Sequence, residues 1–507
     1  MLQINGIKLG INENEARLKE KIEKKLHAPI RSFMIRKKSL DARKEPVYVY
    51  SVLVEVDQEE RYLNKDVRKY VSADLKASYH SRNQVCIIAG YGPSGIFAAY
   101  RLMEAGFKVI VFEKGKRIAD RQKDVERFFK EGILDENSNV QFGEGGAGTF
   151  SDAKLTTRIR DPYIDYILDV FVDHGADGKI RYEPHAHIGT DEIRKIIERI
   201  TDGLIEKGCE FHFSEPVQDL ILDESRRVKG IMTEKGTYAC DCFLSGIGHS
   251  AYETVRMFQD KGIYIEKKDI ALGFRVEHPQ NMIDARQTEN KVKEANEYFL
   301  RYKGKKGVYS FCMCPGGIVV PAISEKQTVV TNGMSYAARD SGIANSAILI
   351  QVFQDEFSDG YAFLRGIERK AYEYSASYRA LSQNIVDFMN GRLNPLIRES
   401  SYPLGTVLYD FNQFFKEEDL SIIKDALRDF DRKIPGFIEK GIMIGPETRS
   451  SSPVRIKRNE FFESVNTPGL YPMGEGAGYG GGIMSCALDG IRTANAILLK
   501  YGKVSEN

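Results

Sequence analysis

The chain of 507 residues has only seven cysteines, a sparse and odd number that excludes a disulfide framework. It has no excess of either charge: 73 basic and 72 acidic residues leave a formal net charge of +1, which argues against a chain-wide nucleic-acid surface. No stretch reaches the ~18 consecutive apolar residues of a membrane helix. The N-terminus lacks the basic-then-apolar pattern of a signal peptide. A soluble, cytoplasmic protein with no membrane partner is therefore expected. No C-x-x-C pair occurs, so the usual spacing of thiol redox and zinc motifs is missing. Glu183, His185 and His187 would share a face if extended, but Pro184 interrupts them and no fourth ligand is in view. No metal is expected.

Glycine, by contrast, is concentrated. Three windows, 90–95, 143–148 and 474–482, hold thirteen of the 45 glycines. Around them the chain reads as several domains. Residues 1–80 carry a local excess of basic charge and the pattern of a small α+β module of ferredoxin-like type. Its strands fall near 2–9 and 47–56, with helices over 13–27 and 64–74. Residues 84–261 follow as the first part of a dinucleotide-binding domain. It opens on a strand at 84–89, a helix from 93 to about 105 and a strand at 108–112. Thr190 is expected to cap a helix reaching about 207, and 210–213, 217–222, 228–233 and 237–244 to form a β-meander. Residues 262–440 read as an inserted mixed α+β substrate domain, and 441–507 as the return of the first domain.

Gly90, Gly92 and Gly95 spell G-x-G-x-x-G between that strand and helix, with Glu113 ending the second strand. Gly90 permits a tight turn, Gly92 lets backbone approach a pyrophosphate, and Gly95 lets helix pack on strand. The helix start at Pro93 and Ser94 offers unpaired N–H groups to phosphates. Glu113, beside Lys114, would accept from the ribose hydroxyls. NAD and FAD both satisfy this fingerprint.

The last cluster follows a short apolar strand ending in Gly474-Glu475, and a helical pattern runs on from Ile483. This resembles the C-terminal flavin segment of the glutathione-reductase-like, two-dinucleotide-binding flavoproteins. The resemblance implies FAD, with Glu475 at the ribityl chain and Gly481, Gly482 and Ile483 at the flavin edge. Gly146, Ala147 and Gly148 then fall in a loop past the pyrophosphate, Val217 meets adenine, and Ser245 and Gly246 return the chain to the cofactor. The segments 143–155, 310–320 and 447–487 together are similar to a family of FAD-dependent dehydrogenases of unassigned substrate, which carries glycine where this chain has Ala153. The fold class implied is α/β: a Rossmann-like FAD-binding domain with a β-meander, the inserted α+β domain, and the small N-terminal one.

Catalytic candidates flank the flavin segments. Cys312 and Cys314 form a C-x-C, but in an extended chain residues i and i+2 lie about 6.5–7 Å apart, at or past the usual disulfide limit. A packed turn and a redox pair both stay open. Arg449 and Arg455 bracket a serine run and suit an anionic substrate. Arg275, Glu277 and His278 are secondary candidates. Without a second G-x-G-x-x-G between 245 and 440, a nicotinamide donor would bind only transiently, and an external electron carrier serves equally well. The function expected is an FAD-dependent oxidoreductase passing hydride through flavin N5 to or from a small, anionic molecule. The alternatives are an FAD-dependent RNA-modifying protein and a non-catalytic flavin binder.

Overall fold

The computed structural model describes residues 1–41, 45–70, 75, 79–80, 83–157, 159–287 and 296–504. They fall into two compact units, Met1–Lys76 with Lys154–Ile188, and Ala77–Ala153 with Gly189–Asn507.

In the first unit, four strands, Leu2–Gly10, Ser32–Asp41, Val47–Glu55 and Val67–Lys69, pair antiparallel, the first strand lying between the third and the fourth. Leu2 and Ile4 are buried, then Ile7 and Leu9, so the inward phase changes once. A register shift between Asn5 and Ile7, with Gly6 at φ +77°, makes that change. Leu18, Ile22 and Leu26 bury one face of the helix Leu18–Leu26 against the sheet. The helix expected over 64–74 is not found in its described part. Asn64 Oδ1 accepts from the Asp66 and Val67 amides, and the turn feeds the strand Val67–Lys69. Residues 71–74 lie outside the described residues.

Residues 154–188, read from sequence as part of the dinucleotide-binding body, cluster with this module instead. The buried Lys38 ammonium sits 2.8 Å from Glu183 and 3.3 Å from Glu15, and Tyr50 and Tyr182 both donate to Glu15. Glu183 is thus an ion-pair partner, and no cluster able to hold a metal ion exists among the described residues.

The second unit holds a five-stranded parallel sheet and a seven-stranded mixed sheet. The parallel sheet runs Leu470–Pro472, Cys242–Ser245, Val85–Ala89, Lys108–Glu113, Glu210–Phe213. The four-stranded meander expected from sequence is therefore divided. The stretch 219–239 forms a three-stranded antiparallel sheet, while the first expected strand pairs into the parallel one and the last, 237–244, is split, with Gly236–Ala239 in the former and Cys242–Ser245 in the latter. Continuous burial of Cys242, Phe243, Leu244 and Ser245 explains why that segment belongs there. Thr190 does not cap its helix. It is the first helical residue, and its hydroxyl donates to the Thr149 carbonyl at 2.7 Å.

The seven-stranded sheet centres on Ile270–Pro279 and Ile343–Val352, paired over ten residues, and includes Ile442–Glu447. The sheet of the inserted region thus reaches past residue 440. No described helix is long and apolar enough to cross a membrane.

Candidate functional site

In the parallel sheet, Ala89 pairs with Phe112 and with Ser245, and Ser245 pairs with Pro472. The carboxyl ends of four strands therefore align, and each is followed by a residue singled out from sequence: Gly90, Glu113, Gly246 and, one residue later, Gly474. The chain order reverses beside Val85–Ala89, since the later strands add on one side and the earlier ones on the other. Such a switch point is where open α/β sheets bind ligands.

Close backbone approach is what the glycines supply. A Cβ on Gly90 would lie 2.4 Å from the Gly246 carbonyl oxygen, and one on Gly146 would lie 2.8 Å from the Gly92 Cα. Ile483 Cγ1 lies 3.1 Å from the Cβ position of Gly148, and Ser94 Oγ lies 2.6 Å from that of Gly474. The three glycine windows, the last of them more than three hundred residues from the other two, thus meet around the start of the helix Pro93–Glu104. The C-terminal helix Ile483–Tyr501 packs beside it, Gly490 having no room for a Cβ against Ser94.

Glu113 has a larger part than a ribose acceptor. Its carboxylate accepts from the Tyr91, Gly115 and Gly143 amides, each at 2.9 Å, tying the first glycine turn to the middle loop. Arg121 does the same from the other side. It is fully buried, and its guanidinium donates to the Asn139, Val140 and Glu144 carbonyls and to Thr149 Oγ1. Burial lowers its pKa to about 9. Nothing local in sequence marks it, because it lies in a helix whose pattern reads as solvated.

An open cleft of about 870 Å³ begins at this edge, lined by Gly90, Glu113, Lys114, Val217, Ile247 and Ser250 among others. Gly481 and Gly482, before the C-terminal helix, face open space. The buried Ser245 hydroxyl has no partner in the structure. A glycine cradle at two helix starts, a long cleft and an orphan hydroxyl fit an extended dinucleotide, whose phosphates and hydroxyls would use the unpaired N–H groups of the first helical turns. Ala147 and Gly148 lie in the short turn Gly146–Phe150 beside this cradle.

Past the cradle lie acidic and basic groups. Burial pushes the Glu475 carboxyl up to about 7, against the pull of Lys268. Lys268 is itself lowered by burial and by neighbouring Arg455. Arg455 reaches the Gly478 carbonyl only at 3.5 Å and packs against Tyr479, and its buried Nε has no partner. Arg449 is engaged instead. Its guanidinium forms a two-pronged pair with Glu368 at 3.0 and 2.7 Å and bonds Ser250 and Ser324. His249, absent from the sequence reading, is partly buried beside it. Its Nε2 has no partner, its Nδ1 lies 3.8 Å from Glu475, and burial with the Arg449 charge lowers it to about 3.

Cys312 and Cys314 sit elsewhere in the same unit, at the end of the strand Gly307–Cys314. The strand bulges between Phe311 and Cys314, and Cys312 has φ +43°. Buried Arg275 donates to the Cys312 carbonyl at 2.9 Å and pairs with Glu447 at 2.6 Å. Glu277 instead holds Ser401, and His278 holds the Phe437 carbonyl, so both serve packing. Cys240 and Cys242 are buried, and Cys242 faces Cys86 across the parallel sheet with sulfurs 2.8 Å apart.

Ala153 is buried with φ +50°, a left-handed conformation. A left-handed alanine costs roughly 1–2 kcal/mol, while a new glycine loses roughly 0.4–1 kcal/mol through the unfolded chain. Ala153→Gly is therefore expected to raise the melting temperature of the FAD-loaded protein by about 1–3 °C. Calorimetry showing a fall would contradict this account.

Comparison with known proteins matches residues 269–450 to the family described as FAD-dependent protein, C-terminal domain-like, and residues 1–55 to a domain of unknown function. An uncharacterized protein of Clostridium beijerinckii is 38% identical over 529 aligned positions, covering 99% of each chain. Among solved structures, L-amino acid deaminase from Proteus vulgaris aligns at 12% identity over 87% of this chain and 97% of its own, with a TM-score of 0.35. The tetracycline destructase Tet(51) aligns at 12% identity over 83% and 82%, also at 0.35.

Proposed function

On the premise that the chain belongs to the same family as its clostridial relative and carries the C-terminal domain of FAD-dependent proteins, we propose that it is an FAD-dependent oxidoreductase acting on a small anionic molecule. FAD is the cofactor, and when bound it supplies the two-electron chemistry. The observation that carries the reading is the meeting of three glycine windows at the switch point of the parallel sheet.

Each part of the chain then has a role. The cradle of Gly90, Gly92, Gly146 and Gly148, braced by Glu113 and Arg121, holds the pyrophosphate and excludes side chains from it. Lys114 and Val217 line the adenosine end of the cleft. Glu475, next to Gly474, takes the ribityl hydroxyls. Arg455 with Lys268 forms the cationic pair for the substrate's negative charge, because Arg455 has hydrogen-bonding capacity left over. Arg449 acts less directly: its charge is already matched by Glu368, so it positions the wall containing His249. The seven-stranded sheet and its helices form the substrate domain.

The purified protein is expected to be yellow, and anaerobic mixing with its substrate to bleach the flavin. A panel of NADH, NADPH and small carboxylic acids identifies the donor class. Arg455→Ala is expected to raise the half-saturating concentration of an acid donor at least tenfold and to leave that of a neutral one unchanged. Absence of FAD from the protein, or no bleaching with any donor, would overturn the reading. Salt-sensitive tRNA binding would instead favour the RNA-modifying alternative.

A further inference from the structure

The extended geometry that would hold Cys312 and Cys314 apart is not the geometry the chain adopts. A left-handed φ of +43° at Cys312, within the bulge, turns the strand between the two residues. For a residue other than glycine this conformation is unfavourable and is kept only where the surroundings impose it. Here the Arg275 guanidinium holds the Cys312 carbonyl at 2.9 Å. The result is that the Cys314 sulfur lies 3.3 Å from the Cys312 carbonyl oxygen and within hydrogen-bonding reach of the Cys312 thiol. Cys314 is fully buried, whereas Cys312 is partly exposed. One thiol thus faces outward and the other backs it, the arrangement of an attacking and a resolving cysteine.

Two charges define the surroundings. The Arg275 guanidinium pulls the Cys314 thiol toward its ionised form, but the neighbouring Cys312 thiol and burial outweigh it and raise the Cys314 pKa well above the ordinary thiol value. On the other side, Cys312 is close enough to Glu475 to oppose ionisation of its carboxyl. The Cys312 thiol is thereby coupled electrostatically to the segment to which the flavin is assigned.

We propose that Cys312 and Cys314 are a redox-active dithiol that exchanges an electron pair with the FAD. This rests on the flavoprotein reading. Oxidation breaks two S–H bonds and forms one Sγ–Sγ bond. Two electrons and one proton pass to FAD, and the second proton leaves to solvent. Reduction runs the same step backwards. The bridge closes a ring two residues apart, and strain in such a ring keeps it readily reducible.

The test is an electron count on the FAD-loaded protein, oxidised with ferricyanide, desalted and titrated anaerobically with dithionite. Wild type is expected to take up two dithionite equivalents per FAD, and Cys312→Ser and Cys314→Ser one each. Alkylation and peptide mapping of wild type before and after titration provide a second readout that needs no variant. Cys312 and Cys314 are expected to be blocked together in the oxidised protein and labelled together after reduction. Uptake of a single equivalent by wild type, with both thiols labelled before reduction, overturns the proposal and leaves the FAD reading standing. Mapping of the second equivalent to Cys86 and Cys242 also overturns it. A protein without bleachable flavin would instead fail at the earlier step.

Discussion

Gly90→Ala is expected to yield a protein that retains less than a tenth of the wild-type FAD after desalting. The added methyl has nowhere to go. Its position lies 2.4 Å from the Gly246 carbonyl oxygen and 2.8 Å from the Gly246 carbonyl carbon, both backbone. Gly246 cannot yield, because its amide donates to the Ala89 carbonyl at 2.8 Å and Ser245 is paired in register with Ala89. Gly90 also has φ +91°, which adds roughly 1–2 kcal/mol for any residue with a Cβ. Overpacking contributes roughly 1–3 kcal/mol more. Relief can come only by moving one of the two turns that form the cradle, so the cost falls on the bound state. A loss of about 2–5 kcal/mol corresponds to a drop in affinity of about thirtyfold or more. Gly106→Ala is the control: φ +75°, but open space around the methyl. It is expected to lower stability modestly and to keep the FAD. Equal flavin content in wild type and Gly90→Ala would remove the cradle from the account.

Arg275→Met is expected to lower stability by about 3–5 kcal/mol, and the midpoint of thermal unfolding by on the order of 10 °C. Arg275 is fully buried in the middle of the seven-stranded sheet, and Glu447 is nearly so. Pairing with Glu447 holds the guanidinium charged against the pull of burial. It also donates to the side-chain carbonyls of Asn332 and Asn345, at 2.8 and 2.9 Å, and to the Cys312 backbone. Removing the cation leaves a buried carboxylate and three acceptors without their donor. The destabilisation comes from those orphans more than from the pair itself. The double variant Arg275→Met, Glu447→Leu is accordingly expected to recover more than half of the loss. Additive losses in the double-mutant cycle would show that the pair is not coupled.

The parts of this protein legible in its sequence are those whose physics is local. Gly90, Gly92 and Gly95 sit between an apolar run and a helical pattern, and a turn in which backbone approaches backbone this closely admits few other residues. Gly474-Glu475 before a periodic helix is equally local. What failed depended on partners distant in sequence. The strand Glu210–Phe213 looks like a meander strand until Lys108–Glu113 is beside it. Arg121 carries no signal of its own until the residues of 139–149 accept its hydrogen bonds, and Glu183 none until Lys38 reaches it. The C-x-C pair departs from the extended geometry expected of a strand, because no residue pattern announces a left-handed cysteine in a bulge.

The division of the first unit into two stretches of chain also sets an order of events during synthesis. Lys38 is made early, yet its partner Glu183 belongs to the second stretch, 154–188. The ribosome adds about 5–20 residues per second. The 112 residues between the end of the first stretch, at 76, and the end of the second, at 188, therefore take on the order of ten seconds. For that interval the nascent sheet carries a lysine destined for burial whose Glu183 partner has not been made. The glycine-rich loop 143–153 emerges before the module that precedes it in the chain can be completed.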